Sequence, residues 1–450
     1  MGNGFVSYLN SMNNANFSNK NALAESQILN DYYHNIKIDR QIGKEIKDQL
    51  FGEKPKGIIL TGHAGDGKTG LLSQVLESIG YFDKGKRPLS QVEQFVGDKE
   101  LFYVKDMSEL DEREQEINLK KFLEAPSKGV SAILIGNTGP LLNTFKRLID
   151  KEKLEEFENG FLEGLDLDYK ENESVEIDGN IYNFDLVNIA RVDNTYFSSH
   201  IIEKIANEEL WCDCKLCGKS SICPIYSNYL IISNQKNKIK NMLEKIYFWL
   251  VETESRLTIR QILSHISYSI TGNLECKDIS KGADLNKEWL FDYAFPNLFF
   301  GFNGINKDND SFNIKAIREL EKLQVDKTSF IKTDNIIFVK EDYSIFTKQV
   351  EEILENKLEN SLSNLGLDSE ENRMLRRAFR RFVILLNNNE DLENEIIDSI
   401  FSPIYSRYFN VVTTGELTRR VKREFENTIF IGLYKVFTGV YPEGRTEIIN

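Results

Sequence analysis

The stretch Gly57-Ile-Ile-Leu-Thr-Gly-His-Ala-Gly-Asp-Gly-Lys-Thr69 decides the fold. Its first five residues have the pattern of a short buried strand, because they follow a turn rich in Lys, Pro and Gly and lead into a glycine-rich loop. The next eight, Gly62–Thr69, match G-x-x-x-x-G-K-[ST] at every fixed position. An apolar helix is predicted from Lys68 to about Ile79. Strand, loop and helix together predict a phosphate-binding P-loop rather than a chance glycine turn.

The chemistry of this motif explains its spacing. Gly62, Gly65 and Gly67 allow backbone conformations that aim successive N–H groups at phosphate oxygens. Lys68 would reach the β- and γ-phosphates, and the Thr69 hydroxyl would bind Mg²⁺. The expected cofactors are therefore ATP and Mg²⁺. The predicted nucleotide contacts are Gly62, His63, Ala64, Gly65, Asp66, Gly67, Lys68, Thr69 and Gly70.

Strand and helix patterns alternate after the loop, which is typical of a parallel sheet with helices on both faces. Strands are predicted at Leu101–Val104, Ser131–Ile135 and Phe184–Ala190, and helices at 109–124 and around Pro140. Residues 158–180 are expected to form a loop or a small hairpin. After residue 195 helical periodicity dominates. The predicted fold class is an α/β P-loop NTPase core followed by a mainly helical C-terminal region.

Four segments follow from these patterns. They are an N-terminal helical arm at 1–50, a P-loop ATPase core at 51–205, a cysteine-cluster module with a helical lid at 206–272 and a mainly helical C-terminal domain at 273–450. A short strand pair is predicted within the last segment, at 335–346.

Two acidic residues follow the predicted strand Leu101–Val104. Asp106 is the candidate for holding Mg²⁺ through water, and Glu109 is the candidate for activating the attacking water. The competing role for Asp106 is that of a helix cap. The usual Asp-Glu pair at the end of such a strand is missing, so both roles stay open.

Asn137 ends the next strand, at the sheet edge where ligands bind in folds of this class. Its amide would sense the γ-phosphate or orient water, although Gly136-Asn-Thr-Gly139 is also ordinary turn chemistry. A further alternative is that strand 131–136 takes the place of the acidic strand. Asn137 would then replace the acid, and hydrolysis would be weak or absent.

Two arginines lie beside a predicted amphipathic helix. Arg256 precedes Thr258, the predicted N-cap, and Arg260 lies in the first turn. An arginine at the start of a lid helix would contact the γ-phosphate, and the alternative is a surface ion pair. Arg147 and Arg191 are further candidates for arginines that act in trans.

Four of the five cysteines lie close together in the sequence. Cys212, Cys214, Cys217 and Cys223 form C-x-C-x2-C-x5-C and are followed by Pro224. Four thiolates would hold one tetrahedral Zn²⁺ or a [4Fe–4S] cluster, and a group of free thiols is the third alternative. Cys276 is interpreted as a lone thiol. An odd, clustered set does not fit a secreted disulfide framework, so a cytoplasmic location is predicted.

Five arginines are predicted to share one helix face: Arg373, Arg376, Arg377, Arg380 and Arg381. Leu375, Phe379 and Phe382 occupy the other side and are expected in the core. Like charges at this spacing repel each other. The arginines are therefore expected to meet carboxylates of the chain, the phosphate backbone of DNA or an acidic partner protein.

The composition of the 450 residues is that of an ordinary globular protein, with 41% hydrophobic and 28% charged residues. A net charge of −14 argues against a chain that coats nucleic acid with its whole surface. No apolar run approaches the length of a membrane helix, and no secretory signal pattern is visible. No membrane partner is expected, and an oligomer is compatible with the sequence.

The Gly65-Asp-Gly-Lys68 loop, the stretch 133–145 and the helical second half resemble the DptF family, the ATPase component of phosphorothioation-dependent DNA restriction systems of bacteria. The resemblance covers about residues 50–205 and is only loose beyond them. It implies an ATPase that acts on DNA with other subunits of an anti-phage defence system. Gly62–Thr69 and Gly136–Thr138 are the matching site residues. The cysteine cluster is not matched to that family, so a related P-loop ATPase of another bacterial anti-phage defence system is the alternative.

Three functions are compatible with these patterns. The first is an ATP-hydrolysing subunit of a restriction complex, whose nucleotide state controls engagement of partners or DNA. The second is a nucleotide-gated scaffold with little hydrolysis. The third is a small-molecule kinase, which the long helical half disfavours. No nuclease constellation occurs in the sequence, so any cutting is expected from another subunit.

Overall fold

The computed structural model describes residues 2–13, 30–82, 87–167, 169–189, 194–281, 287–325, 328, 330–361 and 369–442. The chain divides into two compact units. The first comprises the described residues up to Asn303 and Lys307–Arg318, and the second comprises Gly304–Asn306 and the described residues from Glu319 onward. The first unit thus contains the first three predicted segments and the beginning of the fourth.

The first unit is built on a mixed six-stranded sheet. Its strands are β1 (Gly57–Thr61), β2 (Val92–Val96), β3 (Glu100–Val104), β4 (Ser131–Ile135), β5 (Tyr169–Ile177) and β6 (Asn180–Asn188), in the spatial order β2-β3-β4-β1-β6-β5. The four central strands are parallel, and β2 and β5 pair antiparallel at the two edges. The mainly parallel sheet is confirmed. The sequence patterns do not predict β2, and β5 forms the hairpin that was one of two alternatives for its region.

Helices cover both faces of this sheet. The helices of this part of the chain are, in order, α1 (Gly4–Met12), α2 (Tyr33–Ile36), α3 (Gln41–Leu50), α4 (Lys68–Glu77), α5 (Glu112–Glu124), α6 (Thr138–Leu148), α7 (Lys151–Leu165) and α8 (Asn194–Ile205). β1 is buried along its whole length, and its side chains alternate between two cores. Ile59 packs with residues of α5, α6 and α7, whereas Ile58 and Leu60 pack with residues of α3 and α4. This double burial explains why the strand is apolar throughout.

Helices also dominate the chain beyond the sheet. They are α9 (Cys212–Lys215), α10 (Pro224–Asn234), α11 (Lys236–Glu252), α12 (Ile259–Thr271), α13 (Cys276–Lys281), α14 (Glu288–Asp292), α15 (Phe295–Phe299) and α16 (Lys315–Leu320). A two-stranded ribbon of β7 (Phe302–Asn303) and β8 (Asn306–Lys307) precedes α16. Within the described ranges, no helix combines the length and the apolar character that a bilayer crossing requires.

The second unit is helical, which confirms the prediction of a mainly helical C-terminal region. Its helices are α17 (Ile331–Phe338), α18 (Lys348–Ser361), α19 (Glu370–Leu386), α20 (Glu390–Phe401), α21 (Pro403–Thr414) and α22 (Arg419–Thr438). The predicted strand pair at 335–346 is wrong, because α17 occupies its first part. Thr333 and Ile337 are buried four residues apart, which is the spacing of one helix face.

Several predicted element boundaries shift for local reasons. The helix predicted from residue 109 begins at Glu112, because the Asp111 side chain accepts a hydrogen bond from Glu114 N in a capping box. Helix α7 continues to Leu165, into the region predicted as loop or hairpin. Strand β6 begins at Asn180, earlier than predicted, and Ala190 at the predicted end lies outside the described residues.

Candidate nucleotide site

The loop between β1 and α4 depends on glycine at three positions. Gly62, Gly65 and Gly67 have φ values of 149°, 91° and 85°, which residues with a side chain rarely adopt. Space is short as well, since a Cβ atom on Gly65 would lie 2.9 Å from Thr258 Oγ1. The loop therefore needs all three glycines for its conformation, and it needs Gly65 also for the close approach of the segment that starts α12.

Lys68 is the first residue of α4, and its side chain turns back onto the loop. Its Nζ donates to Gly62 O at 2.8 Å, to His63 O at 2.9 Å and to Asn137 Oδ1 at 3.0 Å. Burial lowers the pKa of Lys68, and the Arg260 charge acts in the same direction, whereas Asp66 and Asp106 oppose the decrease. The ammonium group is thus held between the loop and the carboxyl end of β4.

Asp66 braces the loop from inside the protein. Its carboxylate is fully buried and accepts hydrogen bonds from His63 N at 2.8 Å and from Arg256 Nη2 at 2.7 Å. Its backbone carbonyl accepts a hydrogen bond from Arg40 Nη1 at 3.1 Å. Of the predicted nucleotide contacts, Asp66 is therefore a support of the loop, with its carboxylate committed to partners in the protein.

A cavity of about 220 Å³ lies in front of Lys68. Six of the nine predicted nucleotide contacts line it: Ala64, Gly65, Gly67, Lys68, Thr69 and Gly70. Asp106, Asn137 and Arg260 line the same cavity. The structure thus brings together residues from the loop, from the ends of β3 and β4 and from the start of α12, as expected for the carboxyl edge of a parallel sheet.

A smaller, mostly apolar cavity of about 100 Å³ lies beside the first. The two share wall residues, among them Tyr33, Gly67 and Ile259. Ile36 and Phe197 add apolar surface to the smaller one. Apart from Gly67, these residues come from α2, α8 and α12, and their spacing in the sequence follows no motif. For this reason the sequence alone does not indicate them.

Asp106 caps a turn, which is one of the two roles considered for it, and it also lies at the cavity. Its carboxylate caps the 3₁₀ turn Met107–Glu109, accepting hydrogen bonds from Ser108 N at 2.9 Å and from the Ser108 hydroxyl, and it also lines the cavity. Glu109 is placed differently. It is mostly exposed, and its carboxylate lies 3.5 Å from Lys105 Nζ, outside the cavity lining.

Asn137 occupies the position between the loop and the Asp106 turn. Strand β4 lies between β1 and β3 in the sheet, so its carboxyl end is flanked by both. The Asn137 amide accepts from Lys68 Nζ through Oδ1 and donates to Ser108 Oγ at 3.5 Å through Nδ2. The amide therefore links the lysine to the turn that Asp106 caps.

Arg256 and Arg260, which the sequence predicts beside a lid helix, have different surroundings. Thr258 is the N-cap of α12, as predicted, and forms a capping box with Gln261. Arg260 lines the cavity and its backbone N donates to Gly65 O at 3.3 Å, whereas Arg256 is paired with Asp66. Arg147 is paired with Glu116 at 2.8 Å. Arg191 lies outside the described residues.

The clustered cysteines differ in exposure. Cys214 is buried, Cys223 is partly buried, and Cys212 and Cys217 are exposed. Among the side chains that the structure describes, no group of three or more His, Cys, Asp or Glu is arranged to hold a metal ion. The zinc or iron–sulfur site of Cys212, Cys214, Cys217 and Cys223 stays a prediction.

The five arginines of α19 have different surroundings. Arg381 is buried and donates from Nη2 to Gly304 O at 2.6 Å, and Arg380 donates two hydrogen bonds to the Asp334 carboxylate. Arg376 donates to Asn372, Arg377 is partly buried and Arg373 is exposed. Leu375, Phe379 and Phe382 are buried as predicted. The helix spacing gives the face of each arginine but not which other elements cover it.

No protein-family model, no curated protein and no solved structure matches the chain. The resemblance to the DptF family is therefore still an expectation, and the candidate site is interpreted from its own geometry.

Proposed function

We propose that the chain binds a nucleoside triphosphate with Mg²⁺ at the loop Gly62–Thr69 and hydrolyses it. The observation that carries the proposal is the position of Lys68 Nζ, held by Gly62 O, His63 O and Asn137 Oδ1 beside the cavity. All three acceptors are uncharged. A phosphate oxygen is a stronger acceptor for an ammonium group, so exchange of a partner for phosphate is favourable.

The loop backbone and the helix dipole support binding of an anion at the same place. Helix α4 begins at Lys68, directly after Gly67, so the unpaired N–H groups of its first turn lie at the cavity. These groups and the helix dipole favour negative charge. The adjoining apolar cavity, with Tyr33 and Ile259 among its walls, would accept the base, which needs an apolar and aromatic surface.

Oxygen ligands for Mg²⁺ are available in the cavity lining. The Thr69 hydroxyl and the Asp106 carboxylate are groups that Mg²⁺ binds directly or through water. The bound ion would neutralise charge on the phosphates. Arg260, whose charge already acts on Lys68, would add a second positive group near the terminal phosphate.

Asn137 is the residue proposed to respond to the terminal phosphate. When Lys68 turns to a phosphate, Oδ1 of Asn137 loses its donor and becomes free to accept a hydrogen bond from the attacking water. Nδ2 would remain anchored at Ser108. This exchange would couple nucleotide binding to the orientation of the amide.

A second candidate, the nucleotide-gated scaffold with little hydrolysis, is favoured by the position of Glu109. Its carboxylate faces Lys105 outside the cavity lining, so Asp106 is the carboxylate that lines the cavity. An enzyme that lacks a carboxylate to activate water would bind the nucleotide and turn it over slowly. A partner that moves Glu109 would restore hydrolysis.

The biological setting that we propose rests on the family resemblance alone. It is a cytoplasmic subunit of a DNA restriction or anti-phage complex, in which nucleotide state controls engagement of partner subunits or DNA. Co-purification with the products of neighbouring genes tests this setting separately from the chemistry of the loop.

Steady-state hydrolysis of ATP by the purified chain with Mg²⁺ tests the function. Lys68→Ala should abolish turnover, and Lys153→Ala, which removes a lysine paired with Glu176 away from the cavity, should leave it unchanged. Turnover unaffected by Lys68→Ala would refute the assignment of the loop. Binding without turnover, even with DNA and partners present, would establish the scaffold function.

A further inference from the structure

Cys276 lies next to the cysteine cluster in space, although it is distant in sequence. A Cβ atom built on Gly2 would lie 2.8 Å from Cys276 Cβ and 3.4 Å from its Sγ. The next residue, Asn3, donates from Nδ2 to Cys214 Sγ at 3.3 Å and to Leu210 O at 2.8 Å. Two consecutive residues before α1 thus contact Cys276 and Cys214, which brings these two thiols to the same place.

The thiol groups also influence one another's ionisation. Burial raises the pKa of Cys214 to about 12; the Asn3 hydrogen bond opposes this increase, and Cys276, Cys223 and Cys217 add to it, with Cys276 the strongest of the three. Burial likewise raises the pKa of Cys223. There the backbone N–H groups of Tyr226 and Ile225 oppose the increase, and Cys276 and Cys217 add to it. These directions accord with the contacts of Gly2 and Asn3, which place Cys276 beside Cys214.

Cys212 has different surroundings. It is exposed, and its Sγ donates to the carbonyl of Glu208 at 3.5 Å. Cys214 and Cys217 instead belong to one turn, in which Cys217 N donates to Cys214 O at 3.2 Å. Cys223 is the residue before Pro224, at the N-terminus of α10.

We propose that Cys214, Cys217, Cys223 and Cys276 form a tetrathiolate site for a thiophilic metal, either a zinc ion or an iron–sulfur cluster, and that Cys212 is not a ligand. Such metals are commonly surrounded by ligands from separate parts of a chain. Here Cys214 and Cys217 come from one C-x2-C turn, Cys223 from a helix start and Cys276 from a distant segment. N–H groups directed at a ligating sulfur, as at Cys223, stabilise thiolates.

Closure around the metal needs two local changes. The thiols must lose their protons, because thiolates are the ligands, and metal uptake supplies the positive charge that burial otherwise denies them. The side chains must also rotate toward a common centre, because in the described arrangement they do not yet surround one.

The four cysteines lie at the ends of two helices, α1 and α12, that lead to the candidate nucleotide cavity. Helix α1 begins at this cluster, packs against α12 and ends at Met12, which lines the candidate nucleotide cavity. Helix α12 begins beside the loop and ends a few residues before Cys276. A metal at the four thiols would therefore fix the far ends of both helices.

Metal content of the full chain, purified without oxygen, tests the proposal. Wild type should contain zinc at about one ion per chain, or iron with the visible absorption of an iron–sulfur cluster. Cys276→Ser should lower the metal content at least tenfold, and the matched variant Cys212→Ser should retain it. Neither measurement involves nucleotide, so the result is independent of the proposed function of the loop.

Alkylation of the wild-type protein provides the second arm, in case Cys276→Ser fails to fold. With metal bound, mass spectrometry should show Cys212 alkylated and the other four cysteines protected, and chelation should expose those four. The proposal is overturned if wild type holds neither zinc nor iron after incubation with either metal under reducing conditions. Protection of Cys212 with alkylation of Cys276, or loss of metal in Cys212→Ser alone, would overturn the ligand set.

Discussion

Arg256 Nη2 and Asp66 Oδ1 are 2.7 Å apart, and this ion pair joins the segment before α12 to the interior of the loop Gly62–Thr69. Asp66 is fully buried and also holds His63 N, so its carboxylate fixes the loop on both sides. The ion pair connects Asp66 of the glycine motif with Arg256, which lies 190 residues further along the chain. The pair therefore links the conformation of the loop to the position of the segment before α12.

Arg256→Gln should destabilise the protein by about 2–3 kcal/mol, because it leaves the buried Asp66 carboxylate without its cation. Nucleotide affinity should fall as the loop loses its brace. Arg147→Gln is the control, since it breaks the pair with Glu116 at the surface and should cost about 1 kcal/mol or less. Urea unfolding measures both variants, and equal losses would contradict the bracing role.

Gly65→Ala should weaken nucleotide binding. The backbone there has a φ of 91°, and the added Cβ would lie 2.9 Å from Thr258 Oγ1, so both the loop and the start of α12 must shift. Gly139→Ala lies in α6, where a Cβ meets nothing within 4 Å, and should bind as wild type does. Titration with a fluorescent nucleotide compares the two. Unchanged binding by Gly65→Ala would show that the loop tolerates the shift.

His265 should make the first unit sensitive to mild acid. Its Nδ1 lies 2.8 Å from the Tyr247 hydroxyl and its Nε2 lies 2.9 Å from Phe299 O, and burial lowers its pKa from 6.5 to about 4. The unfolded chain therefore binds a proton more readily. The stability from neutral His265 is complete above about pH 6.5 and is lost as the pH falls toward 4, in total roughly 3 kcal/mol.

Thermal unfolding between pH 7.5 and 4.5 measures this effect. His265→Gln, which keeps a donor and an acceptor but does not titrate, should show a smaller loss of stability over that range than wild type. His34→Gln changes an exposed histidine and should follow the wild-type curve. Parallel curves for wild type and His265→Gln would show that His265 does not control the acid response.

Arg380→Gln should lower the stability of the second unit by about 1.5 kcal/mol, because it removes two hydrogen bonds to the Asp334 carboxylate. Arg373→Gln changes an exposed arginine of the same helix and should leave stability unchanged. Urea unfolding of both variants tests this difference. DNA binding reduced by Arg380→Gln without loss of stability would instead support the phosphate-contact alternative.

The part of the site that the sequence predicts is local. Lys68 contacts carbonyl groups five and six residues earlier, and the glycine pattern contains that geometry. Asp106 and Asn137 could also be predicted, since the carboxyl ends of parallel strands meet at one edge of the sheet. Strands β3 and β4 are parallel neighbours, so the residues that follow them line the same cavity.

The parts that escaped prediction depend on contacts between distant segments. The Arg256–Asp66 pair, the wall formed by Tyr33 and the approach of Cys276 to Cys214 have no fixed spacing in sequence. Arg381 shows that a correctly predicted helix face does not reveal the burial of a residue. Helical periodicity places it with the other arginines, but it is buried and donates to Gly304 O, a contact that the spacing does not contain.

Calorimetric titration with ATP and Mg²⁺ tests the central claim most directly. Wild type should bind one nucleotide per chain, and Lys68→Ala should bind it about 10- to 100-fold more weakly, because a charged hydrogen bond to phosphate contributes about 1.5–3 kcal/mol. Lys153→Ala should bind as wild type does. Absence of binding by wild type, or equal affinity of wild type and Lys68→Ala, would contradict the account.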